Sequence, residues 1–241
     1  MSFLTRWDDT SRPSFTAALR DAAVRALLPG LGLFAAIVAI GFVITGPLRG
    51  LEGENDLNRW FQERRTATGE SITLVMSSMG NTEYVIGVAV LVALLVLWRT
   101  KAWWFAVVPL LAISLQATFF VVAAWIVGRS RPNVERLDPT PPTSSYPSGH
   151  VGASTALYVA FALMATRIEN VVARRVLVVL CILVPLAVSY ARLYRGAHHL
   201  TDVLVGLVNG VVCALLAWRY LRRDAHEAPA ADAADRAQSR T

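Results

Sequence analysis

The chain is 241 residues long and 55% hydrophobic, with a mean hydropathy of +0.47, and its apolar residues fall in uncharged blocks, which excludes an ordinary soluble domain. A formal net charge of +6 and a pI near 9.9 would suit nucleic acid, but the arginines punctuate the apolar blocks instead of forming one basic region, so no nucleic-acid partner is expected. The expected class is all-α: a polytopic membrane protein built as a bundle of six transmembrane helices.

Residues 1–25 read as a polar cytoplasmic segment. Uncharged blocks follow at 26–48, 84–98, 102–128, 151–166, 176–191 and 203–218. The first and third supply the roughly 20 residues a helix needs to cross a hydrocarbon core. The other four must recruit polar neighbours: the weakly polar 71–82 stretch for the second, His150 for the fourth and Asp202 for the sixth. The first block is longer than a signal-peptide core and reads as a retained anchor.

Arg6, Arg12, Arg20 and Arg25 precede the first block; Arg99 and Lys101, then Arg167, Arg174 and Arg175, separate later ones; Arg219, Arg222 and Arg223 follow the last. All lie on one side of a six-span arrangement, which the positive-inside rule makes cytoplasmic together with both termini. The membrane domain then covers 26–220, and 221–241, rich in Ala and Asp without apolar periodicity, is expected to be a disordered cytoplasmic tail. Cys181 and Cys213 fall inside spans, where packing is their expected role and no disulfide is expected.

Between the first two spans, Leu57, Trp60 and Phe61 form the apolar side of an amphipathic segment that either gates lipid access or covers the bundle. Trp98, Trp103, Trp104 and Trp218 at block ends suit an aromatic belt. Pro109 and Pro185 are expected kinks, and Glu83 and Gln116 are expected to hydrogen-bond between helices.

The chemistry concentrates in two loops on the opposite, extracytoplasmic side: 128–150 (GRSRPNVERLDPTPPTSSYPSGH) and 191–202 (ARLYRGAHHLTD). They hold three of the four histidines together with Arg129, Arg131, Arg192, Arg195 and Asp202. Ionisable residues against a membrane span are functional candidates. A phosphate ester needs cations for its oxygens, a nucleophile and an acid for the leaving oxygen, and these loops contain each part. Arginine offers a planar fork matched to phosphate. Ser148 and Gly149 lead into a helix whose first N–H groups favour an anion. His198 and Asp202, four residues apart, share a helix face where the carboxylate can orient the imidazole. His150 is the complementary acid. Arg136 and Asp138 read as a solvated pair, and the 140–145 stretch as a lid or spacer.

Gly128-Arg129-Ser130-Arg131-Pro132, Tyr146-Pro147-Ser148-Gly149-His150, and Arg192 with His198 and Asp202 at the right intervals together resemble the three ordered motifs of the type 2 phosphatidic acid phosphatase superfamily. The resemblance implies that His198 attacks phosphorus and becomes a phosphohistidine, while Asp202 holds its other ring nitrogen. His150 would protonate the leaving oxygen and later activate water. Arg131, Ser148, Gly149 and Arg192 would bind the phosphate, without metal or other cofactor. The interval to Arg192 and Asp202 selects His198 over His199.

Two positions depart from the family pattern. Ala124 stands where the first motif has a lysine, and Ala191 where the third has a serine. Arg129, added to the phosphate-binding set, or Arg195 is the candidate replacement for the lost charge. The implied activity is a metal-independent membrane lipid-phosphate phosphohydrolase, acting on undecaprenyl or another polyprenyl diphosphate, phosphatidic acid or phosphatidylglycerol phosphate. A lipid phosphotransferase with the same residues, or a catalytically weak lipid-phosphate binder or transporter, are the alternatives.

Overall fold

A computed structural model describes residues 13–139 and 144–221, and the described residues form helices joined by loops. Ser14 caps the first helix by accepting from the Ala17 N–H at 3.3 Å. Helix α1 (Phe15–Ala22) passes through a π-helical stretch, Ala23–Leu27, into α2 (Leu28–Thr45). The first apolar helix therefore begins well before Ala26 and takes in part of the segment expected to be only a polar lead. The Asp21 carboxylate, paired with Arg25 at 3.7 Å, lets those polar residues join the helix.

The chain then forms α3 (Glu54–Glu63) and α4 (Ala67–Ser78), before α5 (Thr82–Thr100), the short α6 (Trp103–Ala106) and α7 (Val108–Val127). After the first motif loop come α8 (Gly149–Ala165), α9 (Val171–Tyr194) and α10 (Leu200–Arg219).

Among the described residues, five continuous helices are long and apolar enough to span a membrane: Phe15–Thr45, Thr82–Thr100, Trp103–Val127, Val171–Tyr194 and Leu200–Arg219. The remaining expected span, the fourth, is α8, which has 17 residues, or about 26 Å at 1.5 Å per residue, slightly short of a hydrocarbon core of about 30 Å. It tolerates that length because it packs against α7, α9 and α10. Small residues make the approach possible: a Cβ on Gly206 would lie 2.8 Å from the Ser148 carbonyl oxygen, and one on Gly210 would collide with Thr155. Outward from this centre, Leu91, Leu94, Val179, Leu180 and Leu183 are exposed, as lipid-facing side chains are.

Three local expectations change. The 71–82 stretch does not lengthen the second span; α4 stops at Ser78, the chain turns at Gly80, and α5 starts anew at Thr82. Gly80 sits where a Cβ would lie 2.9 Å from the His150 carbonyl oxygen, so this break is pressed against the start of α8. Pro109 does not kink α7 but occupies its first turn, where a missing N–H costs nothing. Trp218 is buried, with the Arg167 guanidinium 5.1 Å from its ring centre, instead of standing in an interfacial belt.

The amphipathic segment forms α3 and covers the bundle. Phe61 is buried edge-on against Tyr190 and Tyr194, while Trp60 is exposed. The disordered-tail expectation for 221–241 lies, apart from Leu221, outside the described residues.

Candidate active site

The two motif loops are fastened at the starts of α8 and α10. Ser148 is extended, and its N–H donates to the Asp202 carbonyl oxygen at 3.0 Å. Gly149 opens α8 opposite Phe120, where a Cβ would lie 2.6 Å from the ring. The unpaired N–H groups of this first turn make an anion-favouring end. It borders a cavity of about 490 Å³ lined by Arg131, Gly149, His150, Arg192 and His198. The same cavity continues between apolar side chains of α5 and α7, among them Val85, Ile113, Phe120 and Val121.

His198 is 4% exposed, and its Nδ1 lies 2.7 Å from the Ser145 carbonyl oxygen. A carbonyl only accepts, so Nδ1 carries the hydrogen and Nε2 keeps a lone pair. Burial pushes the imidazole well below the usual histidine range, and the nearby Arg192 guanidinium adds to the effect, so the ring is neutral. Asn58 on α3 donates to the His198 carbonyl oxygen at 3.1 Å, fixing the residue from the other side.

Asp202 does not grip the His198 ring as the resemblance implied. Its Oδ2 is 3.9 Å from His198 Nδ1 but accepts from the His199 N–H at 2.9 Å and lies 3.3 Å from His199 Nδ1. This is a capping box at the start of α10, which spends one carboxylate oxygen on orphan donors of the helix end. The other oxygen accepts from Arg129 at 2.5 Å. His199 does not line the cavity; it lines a separate polar cleft with Arg49, Asn55 and Ser130.

The arginines divide. Arg131 lines the cavity and donates to the Ala197 carbonyl oxygen at 2.9 Å; burial lowers its pKa but leaves it a cation. Arg192 lines the cavity and donates from Nη1 to Ser77 Oγ and Asp138 Oδ2, both at 2.8 Å. Arg129 was expected to bind phosphate, yet it lies outside the cavity lining. Its guanidinium is committed to Asp202, Glu54, Thr201 and the Gly50 carbonyl oxygen. Arg195 is likewise committed to Asp138, at 2.8 and 2.5 Å, and to the Glu70 carbonyl oxygen. Neither lines the cavity.

Asp138 is therefore not a solvated loop residue. Burial works to raise its pKa, but Arg195 and Arg192 outweigh it and hold the carboxyl below the usual range. Ser144 and Ser145 are not a loose spacer either. Ser145 Oγ donates to the Ser130 carbonyl oxygen at 2.8 Å, and Ser144 Oγ accepts from the Arg129 N–H at 3.0 Å. Residues 140–143 of that proposed lid lie outside the described residues. Ser148 Oγ is buried without a hydrogen-bond partner and lies outside the cavity lining, so it is the backbone of the Ser148-Gly149 pair, not the hydroxyl, that shapes this end of α8.

Sequence reasoning missed the partners that hold the site. His150 Nε2 lies 3.0 Å from Asn81 Oδ1, and Ser77, in the last turn of α4, accepts from Arg192. Asn81 precedes α5 in extended backbone, a helix-start position favoured by asparagine, so Gly80-Asn81 was a legible stop-and-start signal. The Ser145 carbonyl had no signal, because a backbone oxygen is present at every residue.

The sequence pattern of the PAP2 superfamily matches residues 101–225, more than half of the chain and all three motif segments. Among solved structures, the fold is similar to the transmembrane PAP2-type phosphatidylglycerolphosphate phosphatase of Bacillus subtilis. That likeness has a TM-score of 0.68 at 18% identity, covering 78% of this chain and 93% of that one. It is also similar to LpxE of Aquifex aeolicus, with a TM-score of 0.52 at 22% identity over 68% of this chain and 94% of that one. No curated protein matches the sequence. At such identities the structures speak for the fold alone, whereas the match along the sequence assigns the family. The chain is a membrane protein that belongs to the PAP2 superfamily.

Proposed function

We propose that the protein is a metal-independent lipid-phosphate phosphohydrolase working through a phosphohistidine on His198. One observation carries the reading: a buried, neutral imidazole with its hydrogen committed at Nδ1 stands in one cavity with Arg131, Arg192 and the first turn of α8. Nε2 attacks phosphorus as the bond to the leaving oxygen breaks, and the arginines and α8 N–H groups take the charge on the remaining oxygens. His150, whose Nε2–H is directed at Asn81 Oδ1, takes up at Nδ1 the proton carried by the substrate's phosphate monoanion and passes it to the leaving oxygen. It then takes a proton from the water that attacks phosphorus, the P–N bond breaks, and inorganic phosphate leaves. Phosphorylated His198 is cationic with its Nδ1–H still on Ser145, and Asp202 at 3.9 Å favours that charge.

A substrate tail fits the apolar continuation of the cavity, while the phosphate stays at the arginines. Polyprenyl diphosphates such as undecaprenyl diphosphate, phosphatidic acid and phosphatidylglycerol phosphate share this plan. The arginine distribution supports an extracytoplasmic site with both termini cytoplasmic.

The test is phosphate release by the purified protein from these three lipids in EDTA, with His198→Ala alongside. Release that persists in chelator and vanishes in the variant supports the reading. Chelator-sensitive release overturns its metal independence, and lipid binding without release from any substrate moves the protein to the binder alternative.

A further inference from the structure

Two buried carboxamides stand beside the site. Gln116 packs its Nε2 against Gly152 and has no partner for it among the described residues, so the interhelical hydrogen bond expected of that nitrogen is absent. Asn58 of α3 is the one put to use. It is 1% exposed, and its Nδ2 donates to the His198 carbonyl oxygen at 3.1 Å while its Oδ1 is buried without a partner. An orphan acceptor is costly, and a leucine of similar size would fill the space without one. What this side chain supplies is therefore its donor, and the donor has one target, the peptide that follows the nucleophile.

Asn58 belongs to a row. Asn55, Asn58, Gln62 and Arg65 follow one another at steps of three and four, so they share one face of α3 and of the turn that ends it. Asn55 Oδ1 accepts from the Asn133 N–H at 3.2 Å and Gln62 Oε1 from the Glu135 N–H at 3.1 Å, both in the 128–150 loop. Asn58 reaches the 191–202 loop between them. Arg65 joins both loops, donating to the Tyr194 carbonyl oxygen at 3.2 Å and to that of Glu135 at 2.8 Å. Every target in the row is a main-chain group, and irregular backbone needs such partners. One face of α3 thus spaces the two motif loops, and one of its rungs falls on His198. That residue is pinned at two points, its ring Nδ1 on the Ser145 carbonyl oxygen at 2.7 Å and its main chain on Asn58, which leaves Nε2 as the free side of the ring.

We infer that Asn58 is a positioning residue for phosphoryl transfer, which through the His198 main chain fixes the direction from which Nε2 meets phosphorus. This rests on the phosphohydrolase reading and adds to it a residue that touches neither substrate nor the reacting atoms. Without the hydrogen bond the peptide after His198 is free to turn, and a displacement of about 1 Å at a reacting atom costs about a hundredfold in rate. Arg192 and the first turn of α8 keep their own supports, Ser77 and Asp138 for the one and the Ser148 N–H bond to Asp202 for the other. Phosphate binding should therefore change little.

The experiment measures phosphate release from the same three lipids in detergent micelles by the wild type, Asn58→Ala, Asn58→Asp and Gln62→Ala. Asn58→Ala is expected to lose about tenfold to a hundredfold in kcat with KM within about threefold. Gln62→Ala removes a hydrogen bond of the same kind from the same face and should keep kcat within about twofold, because its rung does not reach His198. Asn58→Asp separates positioning from packing: its carboxylate can only accept, whereas its protonated carboxyl has an O–H to donate to the His198 carbonyl. Burial keeps such a carboxyl protonated above the usual range, so kcat of Asn58→Asp relative to Asn58→Ala should exceed about fivefold at pH 5 and fall as the pH is raised to 8. The ratio cancels the titration of every group the two variants share. Unchanged kcat in Asn58→Ala, a loss confined to KM, equal losses in Asn58→Ala and Gln62→Ala, or a ratio near one at pH 5 overturns the role of Asn58 alone. A wild type that releases phosphate from none of the three lipids overturns the phosphohydrolase reading and this inference with it.

Discussion

Arg129, Arg131, Arg192 and Arg195 meet at one end of the bundle, and they behave as two pairs. Arg131 and Arg192 line the cavity, whereas Arg129 and Arg195 turn away from it into carboxylates. The difference is made by what each meets. Arg129 finds Glu54 from α3 and Asp202 from α10; Arg195 finds Asp138, and the same carboxylate reaches over to Arg192. The site is thus a facing layer that can touch a phosphate and a backing layer of buried ion pairs that holds it rigid. Preorganised donors of this kind need no rearrangement when charge develops.

The sharpest test of that division separates neighbouring histidines. His198 belongs to the facing layer and His199 to the backing layer, one residue apart. His198→Gln is expected to reduce phosphate release by about a thousandfold or more, as loss of a nucleophile does, and to abolish labelling of the protein by a radiolabelled phosphate donor. His199→Gln should keep the label and much of the turnover while lowering thermal stability, because it loosens the α10 cap. Equal loss of labelling in the two variants would remove the assignment.

Next come the arginines. Arg131→Ala and Arg192→Ala should each lower kcat/KM by about a hundredfold or more, in line with removal of one charge-stabilising donor. Arg129→Ala should act mainly on stability. Its side chain and that of Asp202 are 2% and 0% exposed, and breaking a buried pair costs about 3–5 kcal/mol because one charge is left unpaired. A double-mutant cycle with Asp202→Asn, read by thermal unfolding in detergent, should return part of that loss. An Arg129→Ala protein with unchanged melting and a raised KM for phosphate ester would place Arg129 in the facing layer after all.

A smaller effect belongs to the break between α4 and α5. Asn81→Ala removes the partner of His150 at 3.0 Å and is expected to lower kcat about tenfold with little change in KM, since the binding arginines stay in place. A KM change without a kcat change would show that Asn81 serves the phosphate pocket instead of the acid.

The legible parts of this molecule were those written in local pattern. Long uncharged blocks announced the spanning helices, and the spacing from Arg192 to Asp202 brought forward the histidine that lines the cavity. The short α8 was legible as apolar but not as central, because its position depends on Gly206 and Gly210 of α10 meeting it. The division of the arginines was not legible at all. Arg129 looks as phosphate-binding as Arg131 in sequence, and only Glu54, 75 residues away, together with Asp202 takes it out of the cavity. The α4 break was misread because Ser71 to Thr82 is apolar enough to continue a helix; Thr73, Ser77 and Asn81 within it are spent on Arg195, Arg192 and His150.

The gentlest probe of the facing layer is pH. His198 is neutral in the folded protein because burial depresses its pKa well below 6.5, with Arg192 adding to the effect and Asp202 opposing it. In the unfolded chain the same ring titrates near 6.5. Below about pH 6.5 the unfolded state therefore binds a proton that the folded state refuses, so stability rises with pH through this window. The contribution is fully present above pH 6.5 and is lost as the solution is acidified, at a slope of up to about 1.4 kcal/mol per pH unit. Asp138 is also depressed, but from an ordinary value of 3.8, so its contribution is lost only at pH below the range of the measurement that follows. Thermal unfolding in detergent between pH 7.5 and 5 should show the wild type losing stability more steeply than His198→Asn. Parallel curves for the two proteins would mean that the His198 ring is not held neutral, and the nucleophile would then need a base that the present geometry does not supply.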